Sequence, residues 1–221
     1  MFRCWWASAF VPTAIDRFLG VAEGQKEDLE GWRGFLRHLK ERGLAAGVQL
    51  IISDACIGLV EAAAELFPQA QWQRCVVHFY RNVFSQVPKG KVADVARMLK
   101  AIHAQEDRRS AESKAKEVVK KLKAMRLAKA SEFVEAKAHE TLTYFAFPSN
   151  HWRQVKTNNP LERIIREIRR RTRVVGAFPD GNSALMLVAA RLRHIASTKW
   201  GKRRYLAMET LLNPVPEEAA A

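Results

Sequence analysis

Residues 48–52, VQLII, form a nearly continuous apolar run bracketed by Gly47 and by Ser53-Asp54. A run that short, without alternation and closed by turn formers, predicts a strand buried on both faces. Helical patterns flank it. Ahead, residues 27–42 place Leu29, Trp32, Leu36 and Leu39 on one stripe, with Gly43 as the stop. Behind, residues 57–67 read as a second helix closed by Pro68. Two more strands are predicted. One is residues 17–22, RFLGVA, with a turn at Glu23-Gly24; the other is residues 72–79, running into a helix near Asn82. Strand, helix, strand, helix, strand predicts an α/β fold with a three-layer sheet, whose functional groups gather at the carboxyl ends of strands. Asp54 stands at such an end. An Asp there also serves as a turn former or as the N-cap of the next helix.

The pattern changes between residues 91 and 144. This stretch is rich in Ala, Lys and Glu, and sets Val118, Val119, Leu122, Met125 and Leu127 at loose helical spacing. It predicts a helical block whose charges form a solvated face. Residues 145–152, FAFPSNHW, read as a loop with aromatic anchors, and residues 183–195 as a strongly apolar helix that belongs to the core. Residues 199–204, KWGKRR, make a basic patch around Trp200, and the tail from Asn213 is expected to fray. At the other end, Phe2, Trp5, Trp6 and Phe10 form an aromatic cluster without a period.

The charge is concentrated. Against 23 Asp+Glu there are 37 Lys+Arg, a formal net charge of +14. Between Arg153 and Arg204 there are 14 basic and only 3 acidic residues. Much of this lies in residues 156–178, KTNNPLERIIREIRRRTRVVGAF, which predict a helix with Asn159 as N-cap and Pro160 at the first helical position. Leu161, Ile165, Ile168, Thr172 and Val175 share one face; Glu162, Arg166, Arg169, Arg170 and Arg173 share another; Gly176 and Pro179 end the helix. Glu162 has two readings. Three residues after an N-cap it can close a capping box. Alternatively it is a metal-binding carboxylate beside a guanidinium row that holds a polyanion, since only Glu167 balances that row. A basic field of this kind favours nucleic acid over an acidic membrane surface, because no segment is a basic amphipathic helix with an aromatic apolar face.

Cys4, Cys56 and Cys75 give no disulfide framework, and an odd count fits a reducing compartment. No apolar stretch is long enough to span a bilayer; the opening residues carry a short apolar run with one basic residue ahead of it, which leaves a signal peptide as the less favoured alternative, so the predicted location is cytoplasmic. Cys75 and His78 have the spacing of a zinc half-site, but Cys4, Cys56 and His151 are too scattered to complete it. The plainer reading is a Cys packed in a strand and a His bonded to the backbone, with His78 facing a phosphate site as the alternative.

Two stretches carry a resemblance. Residues 50–83, LIISDACIGLVEAAAELFPQAQWQRCVVHFYRNV, and residues 151–187, HWRQVKTNNPLERIIREIRRRTRVVGAFPDGNSALML, closely resemble the Mutator-type transposases of bacterial insertion sequences, with the likeness running over about residues 18–205. Its specific marks are Ser-Asp-Ala at 53–55, Cys-x-x-His at 75–78, and Asn-Pro-Leu-Glu-Arg leading into Arg-Arg-Arg-Thr-Arg-Val-Val-Gly. The resemblance implies a ribonuclease-H-like core interrupted by an all-helical insertion, and cleavage and joining of DNA by two Asp and one Glu. By motif, Asp54 resembles the second acid and Glu162 the third. Cys75 and His78 match a family motif, and Arg169 matches a basic position near the catalytic Glu. Arg163, Arg166, Arg170, Arg171, Arg173 and Lys156 are the expected DNA contacts. Mg²⁺ or Mn²⁺ is the expected cofactor, because phosphoryl transfer needs in-line positioning and neutralised charge rather than covalent help from the protein.

The same resemblance implies a division into an unmatched segment 1–16, a first core part 17–90, an insertion 91–145, a final core part 146–212 with the basic helix, and a tail 213–221. Members of the family carry their first Asp on a strand ahead of the one at 17–22, and Asp16 falls in the wrong element to replace it. The expectation is therefore a fragment with an incomplete core, its first strand missing and a sheet edge exposed, in an inactive copy. The expected partners are insertion-sequence ends and target DNA, with a second copy or a full-length transposase. A non-catalytic DNA-binding fragment that inhibits such a transposase is the alternative. Charge alone would allow a generic RNA- or DNA-binding protein.

Overall fold

The computed structural model describes residues 4–10, 16–23, 28–44, 47–199, 202, 206 and 207. In chain order they form β1 (Cys4–Phe10), β2 (Asp16–Glu23), α1 (Leu29–Glu41), β3 (Leu50–Ser53), α2 (Ile57–Leu66), β4 (Gln71–Arg74) and α3 (Val76–Phe84). There follow α4 (Val92–Ile102), α5 (Arg108–Ala124), α6 (Ala128–Lys137), 3₁₀ turns at Ala138–Thr141 and Thr143–Ala146, then α7 (Trp152–Val155), α8 (Asn159–Val175) and α9 (Gly181–Ser197). The fold is mixed α/β and mostly helical. Gly24, most of the 199–204 patch and the tail from Asn213 lie outside the described residues.

Among the described residues the strands pair in two ladders of two. β1 and β2 pair antiparallel, from Cys4 opposite Glu23 to Phe10 opposite Asp16, with a bulge between Ala7 and Ser8. β3 and β4 pair in parallel, Leu50 opposite Gln71 through Ser53 opposite Arg74. Among the described residues no strand joins one ladder to the other. β1 falls in the stretch read as an aromatic cluster without a period, and it carries no Asp; aromatic residues suit a strand, and a bulge lets the register shift midway. The run at 48–52 is shorter than predicted, and three of its four strand residues are half-buried rather than buried on both faces; among the described residues only β4 pairs with it. The strand expected at 72–79 stops at Arg74. Cys75 still donates its N–H to the Ser53 carbonyl at 2.7 Å, but the Val76 N–H turns to the Lys156 carbonyl at 3.1 Å and Phe79 bonds back to Cys75 at 3.0 Å. Two valines favour a strand by propensity, and tertiary bonding overrides them.

The described residues divide into two compact units. The first gathers β1, β2, α1, α2, α8 and α9. Asp28 caps α1 by accepting the Gly31 N–H at 3.0 Å, and α1 buries Phe35, Leu36 and Leu39. Arg33 on α1 holds Glu65 of α2 at 2.6 Å, and Lys40 donates to the Leu66 carbonyl at 3.1 Å. Gly58 permits the approach of these helices, since a Cβ there would lie 2.7 Å from the Asp28 carbonyl carbon. Ile164 and Ile168 of α8 bury against Val188 and Ile195 of α9, with Leu192 and Val21 of β2 at the margin.

The second unit gathers β3, β4 and α3 to α7. Its core joins the aliphatic Val95, Leu99, Ile102, Val118, Leu122, Val134 and Leu142 to the aromatic Phe79 and Tyr144, all buried. The 3₁₀ turns clasp β4. Gln73 donates to the Thr141 carbonyl and accepts the Tyr144 N–H, each at 2.9 Å, and Thr143 donates its hydroxyl to the Trp72 carbonyl at 2.8 Å. Arg74 is buried, pairs with Glu140 at 2.8 Å and lies over the Phe133 ring at 5.1 Å. Burying a guanidinium is tolerable because it is both paired and stacked. The loop expected at 145–152 is ordered as short helical turns, with Phe145 stacked on Tyr144 and the Trp152 indole donating to the Phe147 carbonyl at 2.6 Å.

Candidate active site and nucleic-acid interface

Asp54 is exposed where β3 ends. It is not the cap of the next helix: the N-cap of α2 is Cys56, which makes no side-chain capping bond. Its carboxylate has no hydrogen-bond or ion-pair partner among the described residues. The backbone around it is tightly held. Cys75 N–H meets the Ser53 carbonyl, the Ser53 hydroxyl donates to the Asp54 carbonyl at 2.6 Å, and the Trp72 indole donates to the Ser53 hydroxyl at 2.9 Å. Ser53 belongs to the Ser-Asp-Ala motif, but its bond to Trp72 escapes a motif reading because it is made across the ladder. The one available signal is that a half-buried indole N–H needs an acceptor.

Cys75 is fully buried at the strand-to-helix junction, as the N-cap of α3 rather than inside a strand. His78 lies on the first turn of α3 and is half-buried. Lys156 is also half-buried, its ammonium 5.9 Å from the Tyr144 ring centre. Burial lowers its pKa, with the nearby Arg153 charge adding to the effect. A Lys so placed is less open to phosphate than the expected DNA contact, while its carbonyl holds the start of α3.

α8 begins one residue earlier than expected. Its N-cap is Asn158, without a side-chain capping bond, and Asn159 is the first helical residue. Glu162 is then four residues past the cap, outside the capping-box position. Its N–H bonds to the Asn158 carbonyl at 3.0 Å. The apolar stripe is also turned: Ile164 and Ile168 are the buried pair, whereas Val175 is 50% exposed. Gly176, at φ +79°, closes the helix in a conformation that glycine adopts without strain.

At about 100° per residue, Arg166, Arg169 and Arg173 fall on one face with Glu162, opposite Ile164 and Ile168. All three arginines are exposed, and none has an ion-pair partner among the described residues. Arg163 is exposed beside them. The other arginines are engaged. Glu167 accepts from Arg170 at 3.0 Å, from Arg171 at 3.4 Å and from Arg191 of α9 at 2.6 Å. The Arg170 bond first, then the Arg191 bond, holds the Glu167 carboxyl down at about 2. Arg170 and Arg171 thus differ from the row they share in sequence, and Arg191, unremarkable in the sequence, braces α9 to α8.

Among the described residues no three His, Cys, Asp or Glu side chains come together, so the N/S set that zinc takes is not found there. An exposed and uncommitted carboxylate such as Asp54 fits Mg²⁺ better. That ion takes one or two carboxylates and completes its shell with water and substrate phosphate oxygens. Among the described residues no helix is long and apolar enough to cross a membrane.

Residues 8–202 match the family described as Transposase, Mutator family. The chain is similar to the transposase for insertion sequence element IS1081 of Mycobacterium tuberculosis, 40% identical over 193 residues, which cover 87% of this chain and 46% of that relative. It is similar also to the transposase for insertion sequence element ISRM5 of Rhizobium meliloti, 36% identical over 195 residues, 88% of this chain and 48% of the relative. The transposase for insertion sequence element IS256 in transposon Tn4001 of Staphylococcus aureus is 33% identical over 189 residues, 84% of this chain and 47% of the relative. The chain spans about half the length of these curated relatives.

Proposed function

The chain belongs to the Mutator family of transposases, and on that premise we propose that it acts in the cleavage and joining of insertion-sequence DNA as a DDE-type enzyme with a ribonuclease-H-like core. The observation that carries this reading is Asp54: an exposed carboxylate at the carboxyl end of a parallel strand, on a pinned backbone, capping no helix and pairing with no described cation. Groups at that place in an α/β sheet serve ligands more often than stability. Asp54 and Glu162 are the proposed ligands of Mg²⁺ or Mn²⁺. When bound, the ion would neutralise phosphate charge and favour ionisation of the attacking hydroxyl. Arg166, Arg169 and Arg173, on the Glu162 face of α8, hold the phosphate backbone through salt-sensitive contacts. His78 positions DNA near the turn after β4, and Cys75 fixes that turn from within the core.

A strand-transfer assay on oligonucleotides carrying the element's ends, in Mg²⁺ or Mn²⁺, tests this. Product that forms with the wild-type chain and vanishes in Asp54→Asn and Glu162→Gln, with DNA affinity little changed, would establish activity in this copy. The arginine face favours a second reading, a non-catalytic DNA-binding chain, because that face needs no metal. Tight binding with no product from the wild type would select it.

A further inference from the structure

We propose that Trp72 and Ser53 are positioning residues that aim the Asp54 carboxylate at a divalent cation, an inference that rests on Asp54 being a metal-ligating carboxylate. Both peptide planes that flank the Asp54 Cα are tied down. The one before it is held through the Ser53 carbonyl, which accepts the Cys75 N–H at 2.7 Å. The one after it is held through the Asp54 carbonyl, which accepts the Ser53 hydroxyl at 2.6 Å. With both planes fixed, Asp54 keeps only its side-chain torsions, so its carboxylate sweeps a small arc.

Trp72 decides where the Ser53 proton goes. A serine hydroxyl has one proton and can either donate or accept along a given line. An indole N–H only donates. Because Trp72 Nε1 lies 2.9 Å from Ser53 Oγ, the Ser53 oxygen must accept there, and its proton is left for the Asp54 carbonyl. Ser53 is 6% exposed, so water competes poorly for that proton. Trp72 is itself anchored, since Thr143 donates to its carbonyl at 2.8 Å. The relay therefore runs from the clasp of 3₁₀ turns, through the indole and the hydroxyl, to the catalytic-strand terminus. Ordering one residue's backbone is an effect of the size of a tenfold change in affinity, and partners that orient ligating carboxylates are known to matter at that scale.

The test is Mn²⁺ affinity of the whole chain, measured by the loss of the free-ion electron paramagnetic resonance signal, with no DNA present. Trp72→Phe keeps the ring and loses the donor; Ser53→Ala loses the hydroxyl. Each is expected to weaken Mn²⁺ binding about tenfold, Ser53→Thr to restore it, and the double variant to be no weaker than either single one, as members of one relay. A role confined to packing would lower the thermal midpoint and leave Mn²⁺ affinity untouched. Wild-type affinity in both single variants, with binding lost in Asp54→Asn, overturns the relay while the Asp54 reading stands. Wild-type affinity in Asp54→Asn overturns both. Where Trp72→Phe fails to fold, Ser53→Ala and its threonine rescue decide the matter.

Discussion

His103 shows what the second unit gains from polar groups in its core. Its Nε2 lies 2.8 Å from the Thr141 hydroxyl, which in turn donates to the Ala138 carbonyl at 2.6 Å. With that proton committed, the imidazole donates from Nε2, and Nδ1 lies 2.9 Å from Tyr80 Oη, whose hydroxyl also points to the Leu99 carbonyl at 3.1 Å. The neutral ring has a partner at both nitrogens. Burial, aided by the Lys156 charge, holds the His103 pKa down at about 4, against an ordinary 6.5. The unfolded chain therefore takes up this proton near pH 6.5 and the folded chain only near 4, so stability falls as pH falls through that window. A loss of about 3 kcal/mol is expected between pH 7 and 4. Urea midpoints across that range should show it, and His103→Gln should flatten the part above pH 4.5, where carboxylates contribute little. Tyr144 is the converse case. It is 1% exposed, and its hydroxyl has no partner among the described residues, while desolvation pushes its pKa up. Removing an unsatisfied hydroxyl removes a cost, so Tyr144→Phe should raise stability by about 1 kcal/mol, readable as a higher urea midpoint.

Between elements, the informative device is Glu167, which gathers two arginines of its own helix and one from α9. Three guanidinium groups held by one carboxylate are poorly available to phosphate. Glu167→Gln is expected to release them: the slope of log affinity for DNA against log salt should steepen by one to about three units. The thermal midpoint should fall at low ionic strength and recover as salt is added. An unchanged slope would mean that the three groups point away from DNA. α1, α8 and the helical block were legible because each carries apolar residues at helical spacing that need no partner to be seen, and α2 and α9 from their apolar length and, for α2, the Pro68 stop. Boundaries were less so. Asn158 and Asn159 are equivalent cap candidates by type, and only the backbone chooses between them. The Val76-Val77 pair looks like a strand until the Lys156 carbonyl, 80 positions away, takes the Val76 N–H. For the same reason Asp54 could be singled out by its place after a strand, while the Trp72–Ser53 relay and the Glu167–Arg191 brace could not, since each joins residues whose meeting is a property of the fold.

At the scale of the molecule, composition speaks most plainly and topology least. Five alternating elements suggested one sheet, but strand order depends on which edges meet, and the described strands settle into two ladders of two. Two-stranded ladders are marginal alone and draw stability from the helices packed on them, as β2 does from α9 through Val21 and Leu192. The charge of +14 poses a different question: whether DNA would feel a diffuse field or one face. Two triple variants separate these cases, because they remove equal charge from different places. Arg166, Arg169 and Arg173 are exposed on α8; Lys116, Lys120 and Lys121 are exposed on α5, and none of the six has an ion-pair partner among the described residues. Each set is changed to Gln, and affinity for a DNA duplex is followed from low to moderate salt. A diffuse field would weaken both variants alike. A defined face releases counterions only where phosphates are contacted, at about 0.9 per contact. The α8 variant is therefore expected to lose about three units of slope and the α5 variant less than one. Equal losses would remove α8 as the DNA surface and leave the basic composition as the sole ground for binding.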